Sequence, residues 1–219
     1  DNISRRFSIL FTKWLLTSTQ QILQFHFDLN SYIIDCSGKP SNYTDYHHVE
    51  SINLNSAYVV ACDWDRPRFE YTLCVARPYG WVFGIPLQNR CSIGYLFNKD
   101  INTLEEIKKD IQNIFTQYNL IPSDKTQSLN FNNYYKKQNF TDRVAYNGNA
   151  SFFLEPMEAT SLDTMFEINN ASNSEQVHQY IRDNEFIIMI HYAAGSKWDT
   201  PFWKYAQERG KECMDEYHL

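Results

Sequence analysis

Short apolar runs in the first half of the chain predict a series of strands. The runs at 31–38, 57–64 and 70–76 are rich in β-branched and aromatic residues and end at polar or turn-forming residues. The stretches GWVFGIP (80–86) and SIGYLFN (92–98) lie on either side of a short polar segment, so we expect them to form a hairpin. The pattern therefore predicts a sheet of several short strands.

A change to helical spacing predicts a helix over 101–119. Its apolar face consists of Leu104, Ile107, Ile111, Ile114, Phe115 and Tyr118. Thr103 and Glu106 have the spacing of a capping box, in which each side chain accepts a hydrogen bond from the backbone N–H of the other residue. The polar stretch 121–128 that follows is expected to be a loop.

The second half of the chain combines a further strand with helices. Residues 144–154 are expected to form an apolar strand and turn, and helical spacing returns from about residue 174. A short last helix is expected after Pro201. This order of strands and helices predicts an α/β to α+β fold with a mixed sheet.

The composition argues against several classes of function. The 219 residues carry a net charge of −6, which makes nucleic acid a poor partner because phosphate binding needs a basic surface. The five cysteines are widely spaced and form no CxxC, so we expect no disulfide framework, no metal site and a cytoplasmic location. The most apolar run, FIIMIHYAAG (186–195), is too short to cross a membrane.

Four stretches of the sequence occur in the order and rough spacing of one enzyme family. They are YIIDCSG (32–38), GWVFGIPLQNR with the Gly-Tyr pair that follows (80–95), GNASFFLEPMEATS (148–161) and FIIMIHYAAGSKWDTPFW (186–203). Together they resemble the flavin-dependent halogenases, and most of all the tryptophan halogenase branch. The most specific part of the resemblance is FLEP-x-E-x-T joined to the downstream HY…DTPFW.

The resemblance implies an enzyme with a particular cofactor and substrate class. Such enzymes bind FAD on a fold similar to that of FAD-dependent monooxygenases and receive FADH2 from a separate flavin reductase. With oxygen and a halide ion they form hypohalous acid, which halogenates a small electron-rich aromatic substrate of indole or phenol type. Residues 1–160 would be the remainder of the flavin-binding domain with the substrate-side sheet, and residues 161–219 a helical substrate region. The implied partners are the reductase, the substrate and a second copy of the chain in a homo-oligomer.

The stretch GWVFGIP matches the family motif W-x-W-x-I-P, which is thought to separate flavin from substrate. Trp81, Ile85 and Pro86 match this motif, whereas Phe83 stands in place of its second tryptophan. Large rings and a rigid proline would exclude water and substrate from a reactive peroxide. Trp81 and Phe83 are two residues apart and share one face of a strand, which fits a wall facing a cavity and equally a layer of an ordinary core.

Two turns match the flavin contacts of the family. The matching residues are Asp35, Ser37 and Gly38 in the first turn and Gly148, Asn149 and Ala150 in the second. At such turns the backbone approaches the cofactor, and a side chain in place of glycine would block it. Ligands of doubly wound folds lie at strand ends of this kind. The alternative for the first turn is a purely structural role.

The stretch FLEPMEATS contains the residues implied in the reaction itself. Glu158 matches a family glutamate that faces the substrate, and a carboxylate in an apolar pocket has a raised pKa and can take a ring proton. Thr160 and Ser161 match the two residues whose backbone N–H groups hold the halide, as the start of a helix can. Relatives usually have glycine at position 161 and a small residue where Phe152 stands. The alternative for Glu155 and Glu158 is that each is a carboxylate favoured by the helix N-terminus.

Two family features have no counterpart in the sequence. Neither the G-x-G-x-x-G fingerprint nor the catalytic lysine is found, and Lys13 is no substitute. The chain is therefore expected to be a central-to-C-terminal portion of such an enzyme. His191, Tyr192 and the DTPFW stretch are expected to be structural. Two other functions stay open: a half-enzyme or non-catalytic remnant that binds an aromatic ligand or a partner, and a flavin monooxygenase that hydroxylates, since Phe83 weakens the wall.

Overall fold

The computed structural model describes residues 33–157 and 160–216 of the chain. In chain order the strands are β1 (Ile33–Asp35), β2 (Tyr46–His48), β3 (Ser56–Asp63), β4 (Leu73–Arg77), β5 (Gly80–Pro86), β6 (Arg90–Phe97), β7 (Ile121–Asn130), β8 (Tyr134–Lys136), β9 (Val144–Tyr146) and β10 (Phe152–Phe153). The α-helices are α1 (Leu104–Gln117), α2 (Thr160–Asn170), α3 (Ser174–Ala194) and α4 (Pro201–Glu216), and a short 3₁₀ helix spans Gly148–Ala150. The combination of sheets and helices confirms the predicted α/β to α+β fold class.

The largest sheet is antiparallel and has the strand order β4-β5-β6-β3-β7. The predicted hairpin is confirmed as β5 and β6, and the strands predicted at 57–64 and 70–76 are present as β3 and β4, although β4 begins only at Leu73. Strands β10, β8 and β2 form a second antiparallel sheet, and β1 pairs with β9 in parallel. The parallel pair matters for the site, because both of its strands end at the same edge.

The prediction of a loop at 121–128 is wrong, because strand β7 occupies this stretch. The strand pairs with β3 at the edge of the sheet, and nearly all of its side chains are exposed. A strand of this kind needs no apolar residue on either face, so its sequence lacks the alternation by which strands are identified. Backbone hydrogen bonds to β3, rather than burial of side chains, fix this element.

Helix α1 packs on one face of the large sheet. Its predicted capping box is confirmed, since Thr103 N donates to Glu106 Oε2 at 2.8 Å and Glu106 N donates to Thr103 Oγ1 at 3.3 Å. The layer between helix and sheet contains Val60, Cys62, Val82, Cys91, Ile93, Tyr95, Phe97, Ile107, Ile111, Ile114 and Phe115. Burial stabilises the fold by about 1.5–3 kcal/mol for each large apolar side chain, so this layer holds the helix against the sheet.

The other face of the sheet packs against helices α2, α3 and α4. Trp81 of β5 points to this side, because alternate residues of a strand face opposite ways. It belongs to one apolar cluster with Tyr192 of α3 and with Phe202 and Trp203 of α4. The predicted C-terminal helical region thus shares a core with the strands, and its status as a separate domain stays a prediction.

Helix α3 confirms the helical spacing that begins near residue 174. Asn173 caps it by accepting a hydrogen bond from Gln176 N at 3.0 Å, and the helix ends at Gly195, whose φ of 75° favours glycine. The most apolar run of the sequence lies in this helix. Among the helices of the described residues, none combines the length and the apolar composition that crossing a bilayer requires.

The residues around DTPFW dock helix α4 onto the turn between β4 and β5. Three side chains donate to three consecutive backbone carbonyls of that turn. The pairs are Trp198 Nε1 with Ala76 O (2.9 Å), Trp203 Nε1 with Arg77 O (2.6 Å) and Thr200 Oγ1 with Pro78 O (2.6 Å). Buried indole groups need an acceptor for their single N–H, and these carbonyls supply it. The motif therefore has a structural task in this part of the molecule.

A buried ion pair connects the same turn to helix α1. Arg77 donates to Asp110 through Nε at 2.8 Å and through a terminal nitrogen at 2.5 Å, and Tyr95 OH donates to Asp110 at 3.0 Å. Each side chain of the pair is 10% exposed. The hydrogen bonds that Arg77 donates to Asp110 raise the pKa of Arg77, so the guanidinium keeps its charge in this largely buried position.

Replacing Asp110 with alanine is expected to destabilise the protein by about 2–4 kcal/mol, because it leaves the Arg77 charge unpaired in a largely buried position. Urea unfolding followed by circular dichroism measures the change. Lys204→Ala is the matched control, since Lys204 pairs with Asp199 at 2.9 Å on an exposed surface where such pairs contribute little. Equal losses in the two variants would contradict the importance of the buried pair.

Candidate functional site

Two turns meet at the carboxyl ends of the parallel strands β1 and β9. Asp35 pairs with Tyr146, and Asn147 N donates to Asp35 O at 3.0 Å. Gly38 (φ 97°) and Gly148 (φ 57°) follow the two strands, and among the described residues no heavy atom outside the adjoining chain lies within 4 Å of the place a Cβ would take at either glycine. Open space therefore adjoins both turns, as a flat cofactor lying against the backbone requires.

The first turn is closed by its own aspartate. Asp35 Oδ1 accepts a hydrogen bond from Ser37 N at 2.8 Å, which is the geometry of an Asx turn. The structure thus places the predicted residues Asp35, Ser37 and Gly38 in one tight turn. A purely structural role for this turn and a role in cofactor contact are both compatible with the geometry.

The second turn, the 3₁₀ helix at 148–150, is supported by two tyrosines that sequence reasoning missed. Tyr134 OH donates to Asn149 O and Tyr46 OH donates to Ala150 O, each at 2.8 Å. Both tyrosines are buried, and their rings meet edge to face at a centroid distance of 5.3 Å. The two tyrosine hydroxyls therefore fix both carbonyl groups, and with them the backbone of the turn. No local pattern in the sequence links these tyrosines to the turn.

Asn147 connects the second turn to helix α2. Its Oδ1 accepts from Gly148 N at 2.6 Å, while its Nδ2 donates to Met165 O at 3.0 Å and to Asn169 Oδ1 at 2.9 Å. Asparagine is a common capping residue, and the Asn-Gly pair is the one local signal that could have identified it. This side chain fixes the turn relative to the helix that begins at Thr160.

Lys136 places a cation next to the second turn. Its Nζ lies 4.7 Å from the ring centroid of Tyr46 and 4.2 Å from that of Tyr146. A cation between two aromatic faces is attracted to both of them. The structure thus gives Lys136, the first lysine of the stretch YYKK (134–137), a cation–π position.

The predicted separating residues divide into two groups. Trp81 and Phe83 point to the same side of β5 with ring centroids 6.2 Å apart and ring planes at 60°. Trp81 is 4% exposed inside the apolar cluster, and Phe83 packs against that cluster from its edge. Ile85 is 45% exposed, and Pro86, half-buried, ends the strand. The structure therefore brings the two rings together and leaves Ile85 and Pro86 outside their cluster.

Gly94 provides the space in which the Phe83 ring lies. The two residues face each other across β5 and β6, and a Cβ on Gly94 would overlap three atoms of the ring. Glycine weakens a strand unless a close approach requires it. The close approach of Phe83 is the reason for glycine at this position.

Glu155 is the buried carboxyl group of the region. It is fully buried, in the loop before α2, and its Oε1 accepts from Tyr192 OH at 2.6 Å. Burial raises its pKa to about 8, although the Tyr192 hydroxyl, the nearby Trp81 indole and the Leu54 backbone oppose that rise. Its Oε2 and the Trp81 N–H form no hydrogen bond of standard geometry. The alternative of a carboxylate at the helix N-terminus does not describe Glu155, which lies before the helix and inside the core.

The two predicted halide residues begin helix α2. Thr160 Oγ1 donates to Met157 O at 3.0 Å, which fixes the entry to the helix. The hydroxyl oxygen of Ser161 is buried, and among the described residues it has no hydrogen-bond partner. The first N–H groups of a helix lack partners within the helix, and groups of this kind can bind an anion. Glu158, the predicted catalytic carboxylate, lies outside the described residues.

Two surface clefts lie elsewhere on the described region. One, of about 230 Å³, is lined mainly by residues 48–55 and 131–133, and the other, of about 170 Å³, by residues 195–199 and by α4. None of the predicted site residues lines either cleft. The predicted site is therefore composed of packed side chains and of turns open on one side.

The contact between Phe83 and Gly94 predicts a double-mutant result. Gly94→Ala is expected to destabilise the protein by about 1–3 kcal/mol, because the added methyl group overlaps the ring. In a Phe83→Ala background the same change is expected to have little effect, since the ring is gone. Urea unfolding of the four proteins in the cycle measures the coupling, and additive effects would contradict the contact.

Burial of Glu155 predicts a pH dependence of stability. The unfolded carboxyl ionises near 4.5 and the folded one near pH 8, so between these values the folded state holds a proton that the unfolded state has lost. The free energy of unfolding should therefore fall as pH rises through this window, by up to about 1.4 kcal/mol per pH unit. Urea unfolding at several pH values should show this slope in the wild type and a smaller one in Glu155→Gln. Glu208→Gln, at an exposed position on α4, is the control and should leave the slope unchanged.

Comparison with known proteins gives the same family as the motifs. The family model of tryptophan halogenase matches residues 13–173. The tryptophan 7-halogenase RebH of Lentzea aerocolonigenes is 22% identical over 63% of this chain, and the tryptophan 6-halogenase SttH of Streptomyces toxytricini is 22% identical over 64%. In both cases the match spans 29% of the relative's length, so the chain corresponds to less than a third of these enzymes.

Solved structures agree at the level of the fold. The lanthipeptide-type tryptophan 5-halogenase MibH superposes with a TM-score of 0.67 at 19% identity, over 82% of this chain and 38% of that one. The tryptophan halogenase from Shewanella frigidimarina superposes with a TM-score of 0.65 at 17% identity, over 85% of this chain and 42% of that one. The described residues therefore have the fold of part of a flavin-dependent halogenase, and since the family model covers well over half of the sequence, the chain belongs to the tryptophan halogenase family.

Proposed function

We propose that this chain is part of an FAD-dependent halogenase that acts on a small electron-rich aromatic compound, such as an indole of tryptophan type or a phenol. The observation that carries the proposal is the pair of open glycine turns at the ends of β1 and β9. Membership of the family supplies the identity of the ligand that such turns would accept. The activity, the cofactor and the substrate are proposals, because the chain matches only part of its relatives.

The two turns would hold the cofactor through their backbones. The residues assigned to it are Asp35, Ser37, Gly38, Gly148, Asn149 and Ala150. Gly38 and Gly148 leave room for a ring system to lie against the backbone. The two tyrosine hydroxyls that donate to the second turn hold the backbone of that turn in place next to the cofactor. FAD, when bound in its reduced form, would supply the activation of oxygen. A separate flavin reductase is the partner that would deliver FADH2.

The rings of Trp81 and Phe83 would act as the barrier between cofactor and substrate. They contact each other, and Trp81 is enclosed by helices on one side and by the sheet on the other. A barrier of this kind excludes water from a reactive intermediate, which otherwise hydrolyses. Ile85 and Pro86 would extend it toward the end of β5, where Ile85 is available for contact with further parts of the enzyme.

The first turn of α2 would bind the halide ion. Backbone N–H groups at Thr160 and Ser161 stabilise an anion without a full counter-charge, and the positive end of the helix dipole adds to their effect. The unpartnered hydroxyl of Ser161 is a further donor at this place, and relatives have glycine there. Glu158, two residues before Thr160 in the sequence, is assigned the role of accepting the ring proton.

A halogenation assay with the natural full-length protein tests the proposal. The protein is combined with a flavin reductase, NADH, FAD, oxygen and bromide, and tryptophan, other indoles and phenols are offered as substrates. The expected product has the mass and isotope pattern of a brominated ring and depends on bromide. A hydroxylated product formed without halide would identify a monooxygenase instead, the function that the smaller ring of Phe83 favours. Absence of flavin binding and of any product would point to a non-catalytic remnant that binds an aromatic ligand or a partner.

In the same assay Glu158→Gln is expected to reduce the rate of bromination by about 10²-fold or more, since the amide cannot accept the ring proton. Consumption of NADH and oxygen should continue in this variant, because the residue is assigned no role in oxygen activation. Glu175→Gln, on the exposed first turn of α3, is the control. Unchanged turnover in Glu158→Gln would remove the assigned role.

A further inference from the structure

The loop at 154–157 connects the second cofactor turn and β10 to the first turn of α2. Two hydrogen bonds follow one another along it, since Met157 N donates to Glu155 O at 2.9 Å and Thr160 Oγ1 donates to Met157 O at 3.0 Å. Leu154 and Glu155 are fully buried, and Met157 is 7% exposed. Hydrogen bonds therefore connect Glu155 to Met157 and Met157 to Thr160.

The side chain of Glu155 contacts two other elements of the site. Tyr192 OH of α3 donates to Oε1 at 2.6 Å, and Tyr192 is itself fully buried against Phe202 and Trp203, with ring centroids 6.3 and 5.9 Å away. On the other side lies the indole of Trp81, close enough to affect the ionisation of the carboxyl group. Glu155 is thus the polar group at which the loop, α3 and the barrier strand β5 meet.

A carboxyl group at this position is unfavourable for stability. Its Oε2 makes no hydrogen bond of standard geometry within the described part of the chain, and burial of the carboxyl group raises its pKa despite the nearby Trp81 indole and Leu54 backbone. An apolar side chain of similar size would avoid burial of a carboxyl group, but it would leave the buried Tyr192 hydroxyl without its acceptor. Buried ionisable groups with such features are concentrated at functional sites, which points to a task other than stabilising the fold.

We propose that Glu155 is a positioning residue, which through its hydrogen bond with Tyr192 fixes the first turn of α2 at a set distance from Trp81. The proposal rests on the function proposed above, in which the first turn of α2 binds the halide and Trp81 is part of the barrier. Glu155 is assigned the task of holding this turn in position relative to the barrier. Glu155 touches neither halide nor substrate. Its effect passes through Met157 to Thr160.

Three variants of the full-length protein separate positioning from simple packing. Glu155→Gln keeps the shape and an oxygen that accepts from Tyr192, Glu155→Leu keeps the volume only, and Tyr192→Phe removes the donor. Ile168→Val is the control, since Ile168 lies in the same apolar cluster on α2 and makes no polar contact there. Each variant is compared by KM for bromide, by kcat and by the number of brominated products formed per NADH oxidised. Halide binding is also measured without flavin, as saturable quenching of tryptophan fluorescence by iodide.

We expect Glu155→Leu and Tyr192→Phe to raise the KM for bromide and weaken iodide binding by about 10-fold, and to form fewer products per NADH, because small displacements of binding groups have effects of this size or larger. Glu155→Gln should recover most of the loss, and Ile168→Val should change none of these values. The proposal is overturned if a folded Glu155→Leu protein binds iodide as the wild type does and forms as many brominated products per NADH oxidised. If that variant does not fold, unchanged values in Tyr192→Phe would overturn it. A wild-type protein that binds no halide and brominates nothing would instead overturn the proposed function, and the positioning role with it.

Discussion

The packing of Trp81 between the large sheet and helices α3 and α4 is the contact on which the rest of the site depends. The indole is almost completely buried, and its neighbours come from strands, from the loop before α2 and from both helices. Large aromatic side chains bury more apolar surface than any others and so dominate the energetics of a core. An aromatic residue at the centre of a core has a fixed position, because moving it would disrupt all of these contacts.

The turn between β4 and β5 contacts the helices on both faces of the large sheet. Its carbonyl groups accept hydrogen bonds from the residues that begin α4, and the side chain of Arg77 reaches through to Asp110 of α1 on the other face. One short segment therefore binds the helices above and below the sheet. The DTPFW stretch therefore has a structural role, because Thr200 and Trp203 donate to backbone carbonyls at this turn.

The candidate site consists of two parts, the turns that follow the parallel strands and the start of helix α2. The parallel strands end in two open glycine turns, and helix α2 begins at Thr160, whose hydroxyl donates to Met157 O. Asn147 joins the two by capping the second turn and by donating to α2. Membership of the tryptophan halogenase family gives these parts their proposed tasks, namely contact with FAD and with the halide. The comparison of folds shows only that the parts lie in the framework that such enzymes share.

Much of the framework was predictable because it follows from one-sided burial and from local capping. Two apolar stretches, GWVFGIP and SIGYLFN, on either side of a short polar segment identified the hairpin, and the spacing of apolar residues with Thr103 and Glu106 identified α1 and its start. Strand β7 could not be found in this way, because an edge strand exposed on both faces carries no apolar alternation. The motifs identified the family, and with it the candidate residues, without any information on how they contact one another.

The sequence by itself determined the family, the fold class, and the residue types at the turns, the barrier and the helix start. Only the tertiary structure decided that Trp81 and Phe83 form one group without Ile85, that Gly94 is small because Phe83 lies over it, and that Glu155 is a buried acid bound to Tyr192. The physical reason is separation along the chain. Glu155 and Tyr192 are 37 residues apart, and a contact over that distance leaves no periodic trace in either segment. Burial, and with it the raised pKa of Glu155, exists only once the helices have packed on the sheet.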